Sequence, residues 1–210
     1  LLPDSLHDGL SIMFGVLENE RHEQLGILST HLKDPAYDET MNSVNDLFSD
    51  ATRLEAGANA DLSAYLYARE LIWKRYRKVC KTARAIHPDT PDSEVHQLRI
   101  HCKKLRYLME FFQSLYPPGK IRKQIKALKS LQDNLGDFQD LEVQTGTLGH
   151  YAEQMRAEGH MNPRTERAMQ TLQAGLKSGM HEVRSEFEQR FARFSRKPNA
   201  QRFQRLFKPE

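Results

Sequence analysis

The sequence predicts an all-α protein whose long antiparallel helices pack as a bundle. Three observations lead there. Apolar residues recur three and four positions apart along almost every segment, the spacing of one helix face. No stretch shows the apolar–polar alternation of a strand. The breaks between periodic segments are short and carry proline, glycine and aspartate, as in "DPAY", "HPDTPDSE" and "YPPGK". Short connections make successive helices antiparallel neighbours. A chain of 210 residues, 39% apolar and 28% charged, has enough material for a substantial core and is not disordered in composition.

The elements follow in order. "DSLHDGLSIMFGVLENERHEQLGILSTHL" reads as one helix over 4–32, capped by Asp4 or Ser5 just after Pro3. "DPAY" ends it, and a short helix covers about 36–52. "EAGANADL" is a small-residue linker, followed by a helix from Leu62 to about Ile86 that is rich in Lys and Arg. Ser93 is placed to cap the next helix, with His96 three positions on, where a capping box would carry Glu. That helix runs to Leu115. A helix over about 119–134 leads into "NLGDFQDLEVQ", where Gly136 marks a tight approach or a kink. "AEGHMNPRTE" is a turn, and Pro163 stands near the start of a last helix over about 164–193. The tail "SRKPNAQRFQRLFKPE" is basic and aromatic and reads as loosely attached.

Bulk charge is uninformative. There are 31 basic and 28 acidic residues, so the net charge is only +3, and the placement of charges must carry the functional signal. Cys80 and Cys102 form no ligand-spaced set, which suggests reduced, buried thiols in a cytoplasmic protein. No apolar run approaches the roughly 18 residues needed to cross a bilayer. No signal peptide is visible, and the opening "LLPDSL" is compatible with a longer precursor. Phosphate-loop, HExxH and GxSxG motifs are absent. Of nine histidines, His96 and His101 are five apart on different sides of a helix, and no pair at i, i+4 meets a carboxylate. No catalytic residue, metal ligand or cofactor is therefore assigned.

The clearest signal is "EVHQLRIHCKKLRYLMEFF", residues 94–112. At about 100° per residue, Val95, Leu98, Cys102, Leu105, Met109 and Phe112 form one apolar face. His96, Arg99, Lys103, Arg106 and Glu110 form a stripe beside it, and Ile100, Tyr107 and Phe111 lie on its far side. Cations three and four apart repel one another. A cationic row between two apolar shoulders is expected in a groove between helices that holds an anion, rather than on an ordinary surface ridge. Arg69 falls near the centre of the apolar face of 62–86, and Arg21 lies among Leu6, Leu10, Leu17 and Leu28. A buried arginine needs an anionic partner, either a ligand or an inward carboxylate. Arg122, Lys126 and Lys129 run beside the core face of 119–134 and could form one wall of a positive cavity. Asp133, Asp137 and Asp140 follow and could orient the cations.

These residues resemble a known family. "VHQLRIHCKKLRYLMEFF" is similar to the signature helix of the CHAD (conserved histidine α-helical) domain, with His96, Arg99, Lys103, Arg106, Tyr107 and Glu110 on its pattern. "LKSLQDNLGDFQDLEV" resembles the second motif, matched by Lys129, Gln132, Asp133, Gly136 and Asp140. The resemblance implies two similar helical bundles around a basic pore that binds inorganic polyphosphate, alone or beside a triphosphate-tunnel (CYTH) domain. One such signature helix is present. The expected organisation is thus a single all-α domain over 1–210: 1–56 as the end of a first helical half, part of which is lacking, 57–195 as the second half, and 196–210 as the tail.

The functional expectation is non-catalytic binding of polyphosphate or another polyanion. Arg99, Arg106 and Arg69 would contact phosphate bidentately, Lys103, Lys126 and Lys129 would act as movable point charges, and His96 would bind as imidazolium. Arg21 and Arg122 join this set, with Tyr107, Glu110, Asp133 and Asp140 orienting it. A cytoplasmic place, on polyphosphate granules, goes with this expectation. The alternatives are a nucleic-acid-binding helical module, which near-neutral charge and the lack of an exposed aromatic platform disfavour, an enzyme of phosphate chains or its accessory domain, and a purely structural helical protein.

Overall fold

The computed structural model describes residues 8–50, 52 and 54–209. Among them the protein is all-α, with seven α-helices and no strand. These are α1 (Ser11–Lys33), α2 (Pro35–Ser49), α3 (Ala64–Arg84), α4 (Asp92–Phe111), α5 (Pro118–Ala157), α6 (Pro163–Ser195) and α7 (Lys197–Phe207). Short 3₁₀ turns cover Asp8–Leu10 and Gln113–Leu115. Among the described residues no helix is long and apolar enough to cross a membrane.

The chain packs as two units. The first comprises residues up to Asp61 with His150–Leu172; the second comprises Leu62–Gly149 with Gln173–Glu210. In the first, α1 follows the 3₁₀ turn, and the cap expected at Asp4 or Ser5 falls outside the described residues. Gly9 lies so close to α6 that a Cβ there would stand 2.9 Å from the Ala168 Cβ and 3.0 Å from the Arg164 carbonyl oxygen. Only glycine allows that approach. Arg164 Nη2 donates to Asp8 Oδ2 at 2.7 Å beside it, and the Tyr151 hydroxyl bonds to Glu20. The α1–α2 connection is capped by Asp34, whose side chain accepts from the Ala36 N–H, with Pro35 at the first helical position.

The second unit holds the larger core. Along α3, Ala68, Ile72, Tyr76, Val79, Cys80 and Ala83 are buried at helical spacing. Val95, Leu98, Cys102, Leu105 and Met109 of α4 are buried against the same cluster, as their periodicity predicts. Burial pushes the Cys102 thiol up to about 12 and raises that of Cys80, so both thiols stay protonated and inert at neutral pH. Helix α5 contributes Ile121, Leu128, Leu131 and Leu135. It runs unbroken for 40 residues, where the sequence suggested an end near 134. Gly136 sits inside it with nothing within 4 Å of where a Cβ would stand, so no tight approach explains it. The end of α5 is instead set by Gly159 at φ 74°, with the His160 N–H donating to the Met155 carbonyl at 2.9 Å, a left-handed C-terminal cap. Asn162 then caps α6 by accepting from the N–H groups of Arg164 and Thr165.

Two expectations are corrected here. Ser93 does not cap α4. The helix starts one residue earlier, after Pro91, and Asp92 is held by Arg184 Nη1 at 2.8 Å, while Arg184 also donates to the carbonyls of His87 and Thr90. A tertiary contact from α6 fixes this end in place of a local cap. Nor is the tail loose. Residues 197–207 form α7, with Phe203 and Phe207 fully buried in the second unit. Phe203 stacks on Tyr76 at 4.0 Å between ring centroids, and Phe207 meets Tyr116 edge-on at 5.0 Å. Asn199 Nδ2 donates to the Phe194 carbonyl at 2.7 Å and fixes the turn into the helix.

Candidate anion-binding site

Helix α4 positions the cationic row. Because its buried face is committed to the core, Arg99, Lys103 and Arg106 are forced to the edge, where they meet α5. Together with Gln132, Asp133, Gly136, Asp137 and Asp140 they line an open cleft of about 320 Å³. The face of α5 that carries these aspartates carries Arg122, Lys126 and Lys129 farther toward its N-terminus. The antiparallel run of α4 places its row beside the acidic half of that face.

Three cations therefore face three carboxylates across the cleft. Among the described residues, neither Arg99 nor Lys103 makes an ion pair within 4.0 Å. Arg106 approaches Glu110 at 3.6 Å, a charge contact too long for a hydrogen bond. Its Nε is buried without an acceptor, and so is Gln132 Oε1 without a donor. A phosphate oxygen at about 2.7–2.9 Å would interact with Arg99 and Lys103 more strongly than a carboxylate beyond 4 Å, since Coulomb energy rises as 1/r and a charge-assisted hydrogen bond adds to it. No group of three or more His, Cys, Asp or Glu side chains is disposed to hold a metal ion among the described residues.

The cleft gathers part of the expected set: Arg99, Lys103, Arg106, Asp133 and Asp140 line it, and Glu110 reaches Arg106. His96 is engaged elsewhere, its Nδ1 bonded to Gln139 Oε1, while Gln139 Nε2 donates to Glu142 at 2.7 Å. Arg122, Lys126 and Lys129 are exposed and outside the cleft, and Arg122 Nε donates to the Pro118 carbonyl of its own helix. Arg21 is not set among leucines. It is an exposed residue of the first unit, paired with Glu18 at 3.0 Å, because most of α1 is exposed.

Arg69 also departs from expectation. Its Nη2 donates to the Lys208 carbonyl at 2.5 Å, and its guanidinium lies 5.6 Å from the Tyr65 ring centroid. The partner is thus neither a carboxylate nor an open anion site but the C-terminal end of α7, where carbonyls without helical partners favour a cation. Arg69→Ala is expected to lower the midpoint of thermal unfolding, by about 1–3 kcal/mol in stability.

The shoulders of the row differ from one another. The apolar face is packed, but on the far side Tyr107 is 49% and Phe111 79% exposed, so the row is bordered by solvent there. The cations that sequence reasoning passed over lie on α3: Lys74, Arg75, Arg77, Lys78, Lys81 and Arg84 line an open cleft of about 1210 Å³ with a single carboxylate, Glu70. The signal lies in the sequence as charge repeated around the outward face of that helix, opposite its core residues.

With this geometry in place, comparison with known families is decisive. The family model of the CHAD domain matches residues 1–149 of the 210. The chain belongs to the CHAD family. The match spans both sequence motifs, so the two helices that form the α4–α5 cleft are CHAD elements. No curated protein sequence matches the chain.

Proposed function

We propose that this CHAD protein is a non-catalytic binder of inorganic polyphosphate, held along the α4 row. The observation that carries the reading is the pairing state of that row: Arg99 and Lys103 share an open cleft with three aspartates yet close no ion pair within 4.0 Å among the described residues. Some arginines elsewhere are tightly paired, as in Arg184–Asp92 and Arg190–Glu186, both at 2.8 Å. Asp133, Asp137 and Asp140 keep the cations extended, and a phosphate chain supplies the close contacts they lack. The family supports the same ligand, since CHAD domains occur in polyphosphate-related proteins. Association with polyphosphate granules in the cytoplasm, and with a triphosphate-tunnel partner, belongs to this reading. The test is calorimetric titration with polyphosphate of defined length, beside a phosphate-release assay with magnesium or manganese. Saturable binding without release is expected; release at enzymatic rates would overturn the non-catalytic assignment.

A second reading has one observation in its favour. Tyr107 and Phe111 are exposed one helical turn apart beside Arg106, and base–aromatic stacking contributes about 1–3 kcal/mol per base. Competition between polyphosphate and single-stranded RNA of equal charge separates the two. Displacement by polyphosphate at lower concentration is expected, whereas preference for RNA, lost in Tyr107→Ala with Phe111→Ala, would favour the nucleic-acid reading.

A further inference from the structure

Helix α3 presents a charge arrangement that the cleft does not explain. Lys74, Arg77, Lys78, Lys81 and Arg84 are exposed on its outward face, with Arg75 half-buried at the edge. They recur at i, i+3 and i+4, so like charges stand over one another turn after turn, each such pair being unfavourable by a few tenths of a kcal/mol. Some cations on other helices are offset by a carboxylate one turn away, as in Arg21–Glu18 and Arg190–Glu186. On α3 none of these six makes an ion pair within 4.0 Å among the described residues, and the six share their cleft with a single carboxylate, Glu70.

The excess extends onto α4. His101 faces α3, and its Nδ1 is buried without a hydrogen-bond partner. Burial first, then the charges of Lys78, Arg75 and Lys104, hold the imidazole below its ordinary range, which marks a positive field that no carboxylate offsets. On the wheel of α4, His101, Lys104 and Leu108 stand about half a turn from Arg99, Lys103 and Arg106, and Leu108 lines the α3 cleft.

We propose that the outward face of α3 is a second binding track for an inorganic phosphate chain, separate from the α4–α5 cleft and on the opposite flank of α4. A phosphate chain fits because the face offers repeated charge and no exposed ring for a base. Tyr76 is buried against Phe203, and Trp73 is half-buried beside it. Lys74 to Lys81 spans about 10 Å of helix, enough for several successive phosphates. The ligand class rests on the reading given above; the site does not. Two tracks on one protein make its hold on long chains bivalent, so that either track raises the effective concentration at the other.

The test is binding stoichiometry with tetrapolyphosphate, a ligand short enough to occupy one track. The wild type is expected to take two molecules per chain, Lys74→Ala/Lys78→Ala/Lys81→Ala one, and Arg99→Ala/Lys103→Ala/Arg106→Ala one. Alanine is the best helix former and the lysines are exposed, so the α3 variant keeps its helix, which circular dichroism verifies. A stoichiometry of one in the wild type that the α3 variant keeps, or no change from two in the α3 variant, overturns the second track while leaving the cleft reading standing. Loss of both sites in the α3 variant also overturns two independent tracks. Binding that survives only in the row variant would support the α3 track and remove the cleft.

Discussion

Replacing Arg99, Lys103 and Arg106 together by alanine is expected to lower the affinity for long polyphosphate by about 100-fold while leaving the helical circular dichroism unchanged. The magnitude follows from the contacts. A hydrogen bond to a charged group contributes about 1.5–3 kcal/mol when buried, and three would give far more than 100-fold. All three side chains are only half-buried, however, so solvent screening reduces each one. The fold should tolerate the change because none of the three is in the core cluster and two of them close no ion pair among the described residues. Residual binding on α3 sets the floor. Affinity within about threefold of wild type would show that the α4 row does not contact the ligand.

The largest effect on stability is expected at Phe203. Phe203→Ala should cost about 3–5 kcal/mol, seen as a fall in the midpoint of denaturant unfolding with little change in slope. Its ring is wholly buried, stacked on Tyr76, edge-on to Phe194 at 5.8 Å, and 5.7 Å from Phe207. A cavity bordered by three aromatic rings from α3, α6 and α7 cannot collapse easily, since each ring is also held by others. A loss below 1 kcal/mol would mean that α7 is only loosely associated, as the tail composition had suggested.

How much was legible in the sequence differs between these elements. The buried face of α4 was readable because six apolar residues at helical spacing leave one way to pack; five of them are buried, and Phe112, just past the helix end, is half-buried. The tail was not. In an eleven-residue helix, Phe203 and Phe207 are only two anchors among Lys197, Arg202 and Arg205, and composition outweighs periodicity at that length. The start of α4 was missed for a different reason: Arg184 comes from about 90 residues away, and no local rule sees it. The candidate site divides in the same way. Arg99, Lys103, Arg106, Asp133 and Asp140 line one cleft because spacing along two helices brings them together. Arg69 and Arg21 were misjudged because a wheel shows which face a residue takes, but not whether that face is covered or what carbonyl waits there. The cations of α3 were overlooked because they lie on the face that a search for the core discards.

Those unpaired cations make the dependence of affinity on salt the most direct measure of the central claim. If a phosphate chain replaces counterions along the row, the logarithm of the association constant falls linearly with the logarithm of salt concentration. The expected slope is at least about −2 for three contacts, at about −0.7 per contact as for single-stranded polyanions, and steeper when α3 takes part. Titration of the wild-type protein with polyphosphate of defined length at two or more salt concentrations reads it. Saturable binding with that slope is the expected result; no binding, or binding indifferent to salt, would contradict it.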